Sequence, residues 1–153
     1  MKLFRTLTTL VLATCVSFSV MAQDRGTKEE AKALVTAALG HIKKVGNEQA
    51  FKDFSTDKAN WTKKDLYVFT LDNKGVVLAH GINPKLIDKN LSEMKDQNGK
   101  LFMREMMDVS TTKGEGWVDY DWANPLTKKA EPKSTFVKRI PGFDGSVAVG
   151  IYR

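Results

Sequence analysis

Residues Gly114 to Arg139, GEGWVDYDWANPLTKKAEPKSTFVKR, constrain the fold more than any other stretch. At a strand's period of two, Trp117, Asp119 and Asp121 fall on one face, and Val118, Tyr120 and Trp122 on the other. Asn124-Pro125 marks a turn, after which Pro132 to Arg139 returns as a second strand with Lys133, Thr135 and Val137 on a common face. Two amphipathic aromatics and one lysine can therefore meet on a single sheet surface. A surface that is apolar, aromatic and singly cationic suits a small anion with an apolar tail.

The segments before this stretch supply the rest of a sheet and its cover. Thr27 with Glu30 three residues on makes a capping box, and Ala31, Leu34, Val35, Ala38, Ile42 and Val45 follow at helical spacing. Gly46-Asn47 interrupts that helix, and a second helical piece carries Ala50, Phe51 and Phe54. From Asp65 the period drops to two. Leu66 to Leu71, a turn at Asp72-Asn73-Lys74-Gly75 and a return over Val76 to His80 predict a hairpin. A loop-rich crossover from Ile82 to Gly99 leads to a helix near Lys100 to Ser110, and Ser146 to Tyr152 reads as the last strand. This order predicts an α+β fold. Its five-stranded antiparallel sheet would carry a long N-terminal helix on one face and the crossover with its helix on the other.

The first residues have a different character. Lys2 and Arg5 precede an apolar run from Leu7 to Val20, and Val20-Met21-Ala22 matches what a signal peptidase reads. The run is shorter than the ~20 residues that span a bilayer. The expectation is a cleaved signal peptide at 1–22 and one domain at 23–153, periplasmic or secreted, with no transmembrane segment in the mature chain. Leu12-Ala13-Thr14-Cys15 resembles a lipoprotein box, but Thr14 fits it poorly and the apolar run continues to Met21, so a removed signal is preferred to lipidation at Cys15. Loss of Cys15, the one cysteine, leaves no disulfide, thiolate nucleophile or zinc-thiolate site. Removing Lys2 and Arg5 takes the net charge from +6 to +4, spread along the chain, which gives no nucleic-acid footprint.

The residues give enzyme chemistry little support. Alternation points Asp119 and Asp121 away from Trp122, no serine sits on a nucleophile elbow, and His41 and His80 lie in unrelated elements. Asp96, Asn98, Gly99 and Glu105 fall at positions of a calcium loop, but Met94 occupies the first ligand position, so the segment reads as a turn. No catalytic residue, cofactor or metal is assigned.

Read together, Asp65-Leu66-Tyr67-Val68-Phe69, Leu78-Ala79-His80-Gly81, Asn83-Pro84, Lys89-Asn90-Leu91, Asp96 to Lys100, Gly114 to Trp122, Pro132-Lys133-Ser134 and Gly150-Ile151-Tyr152 resemble a single Cache domain of the second type. The resemblance covers Thr27 to Arg153. It implies a PAS-like extracytoplasmic sensor fold whose pocket binds a short carboxylate or similar metabolite, commonly in a chemoreceptor or sensor kinase. The chain stops at Arg153 with no signalling module, so the expectation is a stand-alone exported protein read by a membrane-bound receptor or sensor kinase.

Parity places the candidate pocket. Tyr67 with Phe69, Leu78 with His80, Tyr120 with Trp122, Lys133 with Thr135 and Gly150 with Tyr152 would line one cavity, closed by Met103, Met106 and Met107. The ligand-binding candidates are His80, Tyr120, Trp122 and Lys133, with Tyr67, Phe69 and Thr135 beside them. Lys133 would pair with the anion while His80 and Tyr120 donate hydrogen bonds. The competing expectation is a Cache-fold interaction protein with a filled core, docking to an envelope partner.

Overall fold

The computed structural model describes residues 25–153. The expected signal peptide and Cys15 lie outside them.

Helix α1 (Lys28–Val45) begins as the capping box dictates: the Thr27 hydroxyl accepts from Glu30 N–H at 3.2 Å, and Glu30 Oε2 accepts from Thr27 N–H at 3.0 Å. Gly46, at φ 86°, stops it and starts α2 (Asn47–Thr56), which is followed by the one-turn α3 (Lys58–Trp61). Strands β1 (Thr62–Lys63), β2 (Leu66–Asp72) and β3 (Val77–His80) come next. The β2–β3 turn is tied by Asp72, whose Oδ1 accepts from the backbone N–H groups of Lys74 and Val76. A single 3-10 turn at Pro84–Leu86 opens the crossover, which ends in α4 (Phe102–Thr112). Strands β4 (Glu115–Ala123), β5 (Ala130–Arg139) and β6 (Gly145–Tyr152) complete the fold.

The antiparallel sheet runs β1-β2-β6-β5-β4, with β3 on the same edge of β2 as β1, further along the strand. The class is the one the sequence predicts; the strand count is six instead of five. The extra strand is the two-residue β1, which pairs Thr62 with Tyr67 and is too short to show a period.

Alternation divides the sheet cleanly. Val68, Phe136, Val147, Val149 and Ile151 pack under Ala31, Val35, Ala38, Ile42, Ala50, Phe54 and Trp61 of the three N-terminal helices. Tyr67, Phe69, Val118, Tyr120, Val137, Ala148 and Tyr152 face the other way, against Phe102, Met103, Met106 and Val109 of α4 and Leu91 of the crossover. At roughly 1.5–3 kcal/mol per large apolar side chain buried, each layer contributes substantially to the driving force for folding.

One register departs from expectation. Phe69 pairs with His80 and Thr70 with Ala79, but Leu71 pairs with Val77, so β3 bulges and Leu78 is the extra residue. Val77, and not Leu78, joins His80 on the pocket face.

Candidate functional site

The site grows from the pairing of four strands. Tyr120 on β4 is directly opposite Lys133 on β5, Lys133 is opposite Tyr152 on β6, and Val118 is opposite Thr135, which is opposite Gly150. Directly paired residues share a face, so Tyr120, Lys133 and Tyr152 stand in a row across the sheet. Tyr67 and Phe69 extend the same face onto β2, and His80 extends it onto β3.

Lys133 is the centre of this row and is fully buried. Its stem passes over Gly150, where a Cβ would lie 2.1 Å from Lys133 Cε and 2.4 Å from Thr135 Oγ1. Having crossed β6, Nζ donates to the Tyr67 hydroxyl at 2.7 Å and the Tyr152 hydroxyl at 3.3 Å. It also stands over the Tyr67 ring, 4.1 Å from the centroid, and 4.7 Å from that of Tyr152. Among the described residues no carboxylate lies within ion-pair distance of it. Burial pulls Lys133 well below the usual lysine value, and the Asp65 carboxylate offsets this in part. Asp65 is itself fully buried: Oδ1 accepts from Gly26 N–H at 2.7 Å, while Oδ2 has no partner.

The chain's three tyrosines are Tyr67, Tyr120 and Tyr152, and all three belong to this site. Burial raises each above the usual phenol range, with further contributions from the neighbouring phenols. Tyr152 donates to the Ala123 carbonyl at 2.7 Å, and the Tyr120 hydroxyl pairs with Thr135 Oγ1 at 3.0 Å. The Tyr120 ring lies parallel to Phe102, with centroids 4.3 Å apart.

His80 is held neutral by its surroundings. Its Nδ1 accepts from the backbone N–H groups of Asn83 at 2.9 Å and Ile82 at 3.2 Å, which places the proton on Nε2. Burial, followed by the charge of Lys133, lowers its pKa to about 3.

Above this floor lies an inner cavity of about 20 Å³, lined by Tyr67, Phe69, His80, Tyr120 and Trp122 with Val77, Leu86, Leu91, Phe102 and Met103. It has room for one water. Tyr67, His80, Leu86 and Trp122 also face an outer chamber of about 350 Å³, whose other walls include Asn83, Ala123, Asn124, Pro125 and Lys128.

Of the seven residues the sequence singled out, five line the inner cavity, while Lys133 and Thr135 lie on the same sheet face outside its lining. The Tyr120 hydroxyl, expected to meet a ligand, is already paired with Thr135. Met103 lines the cavity and Met106 is fully buried in the same cluster without lining it, whereas Met107 is only partly buried against that cluster. The sequence reading placed Gly150 and Tyr152 on the wall of the cavity but did not count them among the ligand-binding candidates. It also missed Asp65, and no sequence signal separates that residue from an ordinary strand-flanking aspartate.

Asp119 and Asp121 do turn away: Asp119 pairs with Arg153 at 3.6 Å, and Asp121 accepts from Gln97 and Asn98. Asp96 is a turn residue whose Oδ1 accepts from Asn98 and Lys100 N–H and whose Oδ2 accepts from Asp121 N–H. His41 bonds Asp53 at 2.7 Å and packs on Trp61.

The single Cache domain 2 family model matches residues 7–153. The chain is 26% identical over 88 residues, 58% of its length, to the methyl-accepting chemotaxis protein McpP of Pseudomonas putida. That match covers only 16% of the receptor. Among solved structures, a methyl-accepting chemotaxis protein from Vibrio parahaemolyticus superposes with a TM-score of 0.70 at 27% identity, covering 82% of this chain and 87% of that one. A Cache chemosensory domain described in terms of carboxylic acid recognition repeats the fold with a TM-score of 0.65 at 24% identity, covering 81% and 86%. By its family match and by the sheet, helices and aromatic face described above, the chain belongs to the single Cache domain 2 family.

Proposed function

We propose that this chain is an extracytoplasmic sensory domain that binds a short carboxylate or a similarly small metabolite. It would be exported by a signal peptide at residues 1–22 and read by a membrane-bound receptor or sensor kinase. The observation that carries this reading is Lys133, an amine on a fully buried stem, bonded to two tyrosine hydroxyls and, among the described residues, within ion-pair distance of no carboxylate. A buried lysine without a counter-ion is costly, and an incoming carboxylate supplies the missing partner. A ligand would enter through the outer chamber past Trp122 and Leu86 and take a hydrogen bond from His80 Nε2. Its carboxylate would displace the Tyr67 hydroxyl from Lys133, and its tail would lie against Phe69, Phe102 and Met103. The carboxylic acid recognition attributed to the related Cache chemosensory domain supports this choice of ligand class.

The small volume of the inner cavity favours a second reading, an interaction protein with a filled core that docks to an envelope partner. A thermal-shift screen of acetate, propionate, pyruvate, lactate and their amides separates the two. A ligand at 100 times its Kd stabilises the fold by about 2.7 kcal/mol, a shift of several degrees. A response to carboxylates that Lys133→Met removes supports the sensor. No response from any compound supports the filled core.

A further inference from the structure

We infer that the pocket takes up its carboxylate together with one proton, and that this proton resides on Lys133 Nζ. The inference rests on the carboxylate-binding reading above and specifies what the ligand brings with it. The geometry of Lys133 is the starting point. Its side chain is fully buried, its stem follows the track over Gly150 across β6, and among the described residues its nitrogen meets phenol oxygens and aromatic faces. Full burial with no ion-pair partner among the described residues disfavours the ammonium relative to the neutral amine, and the aromatic contacts offset this only in part.

The titratable groups around it point the same way. Tyr67 from β2, Tyr120 from β4 and Tyr152 from β6 are buried phenols kept in the neutral form. His80 from β3 cannot take the proton at Nδ1, because two backbone N–H groups already point at that atom. Among the described residues, Asp65, just ahead of β2, is the one carboxylate with a resolved influence on Lys133, and it lies beyond ion-pair distance. Glu131, on β5 itself, acts on Tyr152 and is occupied by Thr127, Asn124 and Arg25. Helix α4 and the crossover present Phe102, Met103, Leu86 and Leu91 to the cavity, none of which titrates.

An arriving carboxylate changes this balance. It stands as the anionic partner beside Nζ, the amine accepts a proton from a buffer acid or hydronium, and the bound pair is ammonium and carboxylate. The conjugate base of the buffer is left in solution, so charge and protons balance. Affinity is then highest where free Lys133 is already protonated. It falls as pH rises above that point, by up to about tenfold per pH unit, until the bound-state lysine itself deprotonates.

The test is calorimetric titration of the protein with acetate, propionate, pyruvate and lactate. Each is run in two buffers of different ionisation enthalpy across about pH 6 to 9, with propionamide as the uncharged control. The expected result is uptake approaching one proton per carboxylate bound at the upper end of that range, with a matching fall in affinity and no uptake for propionamide. Carboxylate binding with heats independent of buffer and affinity flat across the range would overturn the inference and leave the proposed function standing. Failure of all four carboxylates to bind would overturn both. The wild-type measurement suffices on its own; if Lys133→Met folds, it should abolish the uptake.

Discussion

A Cβ on Gly150 would fall 2.1 Å from Lys133 Cε, so the strip of bare backbone at Gly150 is what lets the lysine stem cross β6 to Tyr67. Gly150→Ala should therefore cost about 1–3 kcal/mol in urea unfolding, as overpacking does, and should blunt any carboxylate response. Gly40→Ala, in the interior of α1 with nothing within 4 Å of its new methyl, should stabilise by about 0.5–1 kcal/mol. An unchanged midpoint for Gly150→Ala would show that Lys133 does not depend on that strip.

The three tyrosines allow the site to be watched directly. Each has its folded pKa raised above the unfolded value near 10, so its contribution to stability is fully present below about pH 10 and is lost as pH rises beyond it. Phenolate absorbance should stay silent past pH 10 and then appear for all three together as the protein unfolds. A tyrosine ionising at its ordinary pH in the folded protein would mean the phenols are open to water.

His80 sets the acid limit. Its folded pKa of about 3 lies below the ordinary 6.5, so its contribution to stability is present above about 6.5 and is lost as pH falls toward 3. The loss amounts to at most about 1.4 kcal/mol per pH unit from this group. Denaturation of His80→Gln between pH 7 and 4 should show a shallower loss than wild type, and parallel slopes would contradict the assignment.

Met103 is buried and lines the inner cavity. Met103→Ala should destabilise by about 2–5 kcal/mol and enlarge that cavity. In the proposed function it should also shift the preferred carboxylate toward longer tails, which comparative titration of acetate, propionate and butyrate would reveal.

The sequence was most informative wherever a period had a partner. The Thr27–Glu30 box, the stripe of α1 from Ala31 to Ile42 and the two faces of β4 form as their spacing requires, because each expresses local geometry that burial reinforces, whereas Val45, expected to end that stripe, is exposed at the helix terminus. Parity alone put all seven candidates on one sheet face, and five of them line the inner cavity, since alternation continues across paired strands. Leu78 was misplaced because a bulge adds one residue without any mark in the local pattern. The burial of Lys133 and of Asp65 was not legible either, since it follows from which strands flank β5 and β2, a property of topology and not of either segment.

Strand β6 lies between β2 and β5 although it is the last of the six to be synthesised. A nascent chain lacking it would hold two strands with bare edges and a half-built aromatic floor, the kind of surface on which chains associate wrongly. The domain should therefore be most vulnerable to aggregation late in synthesis. A factor that shields apolar strands should improve its yield more than any stabilising substitution in the finished fold.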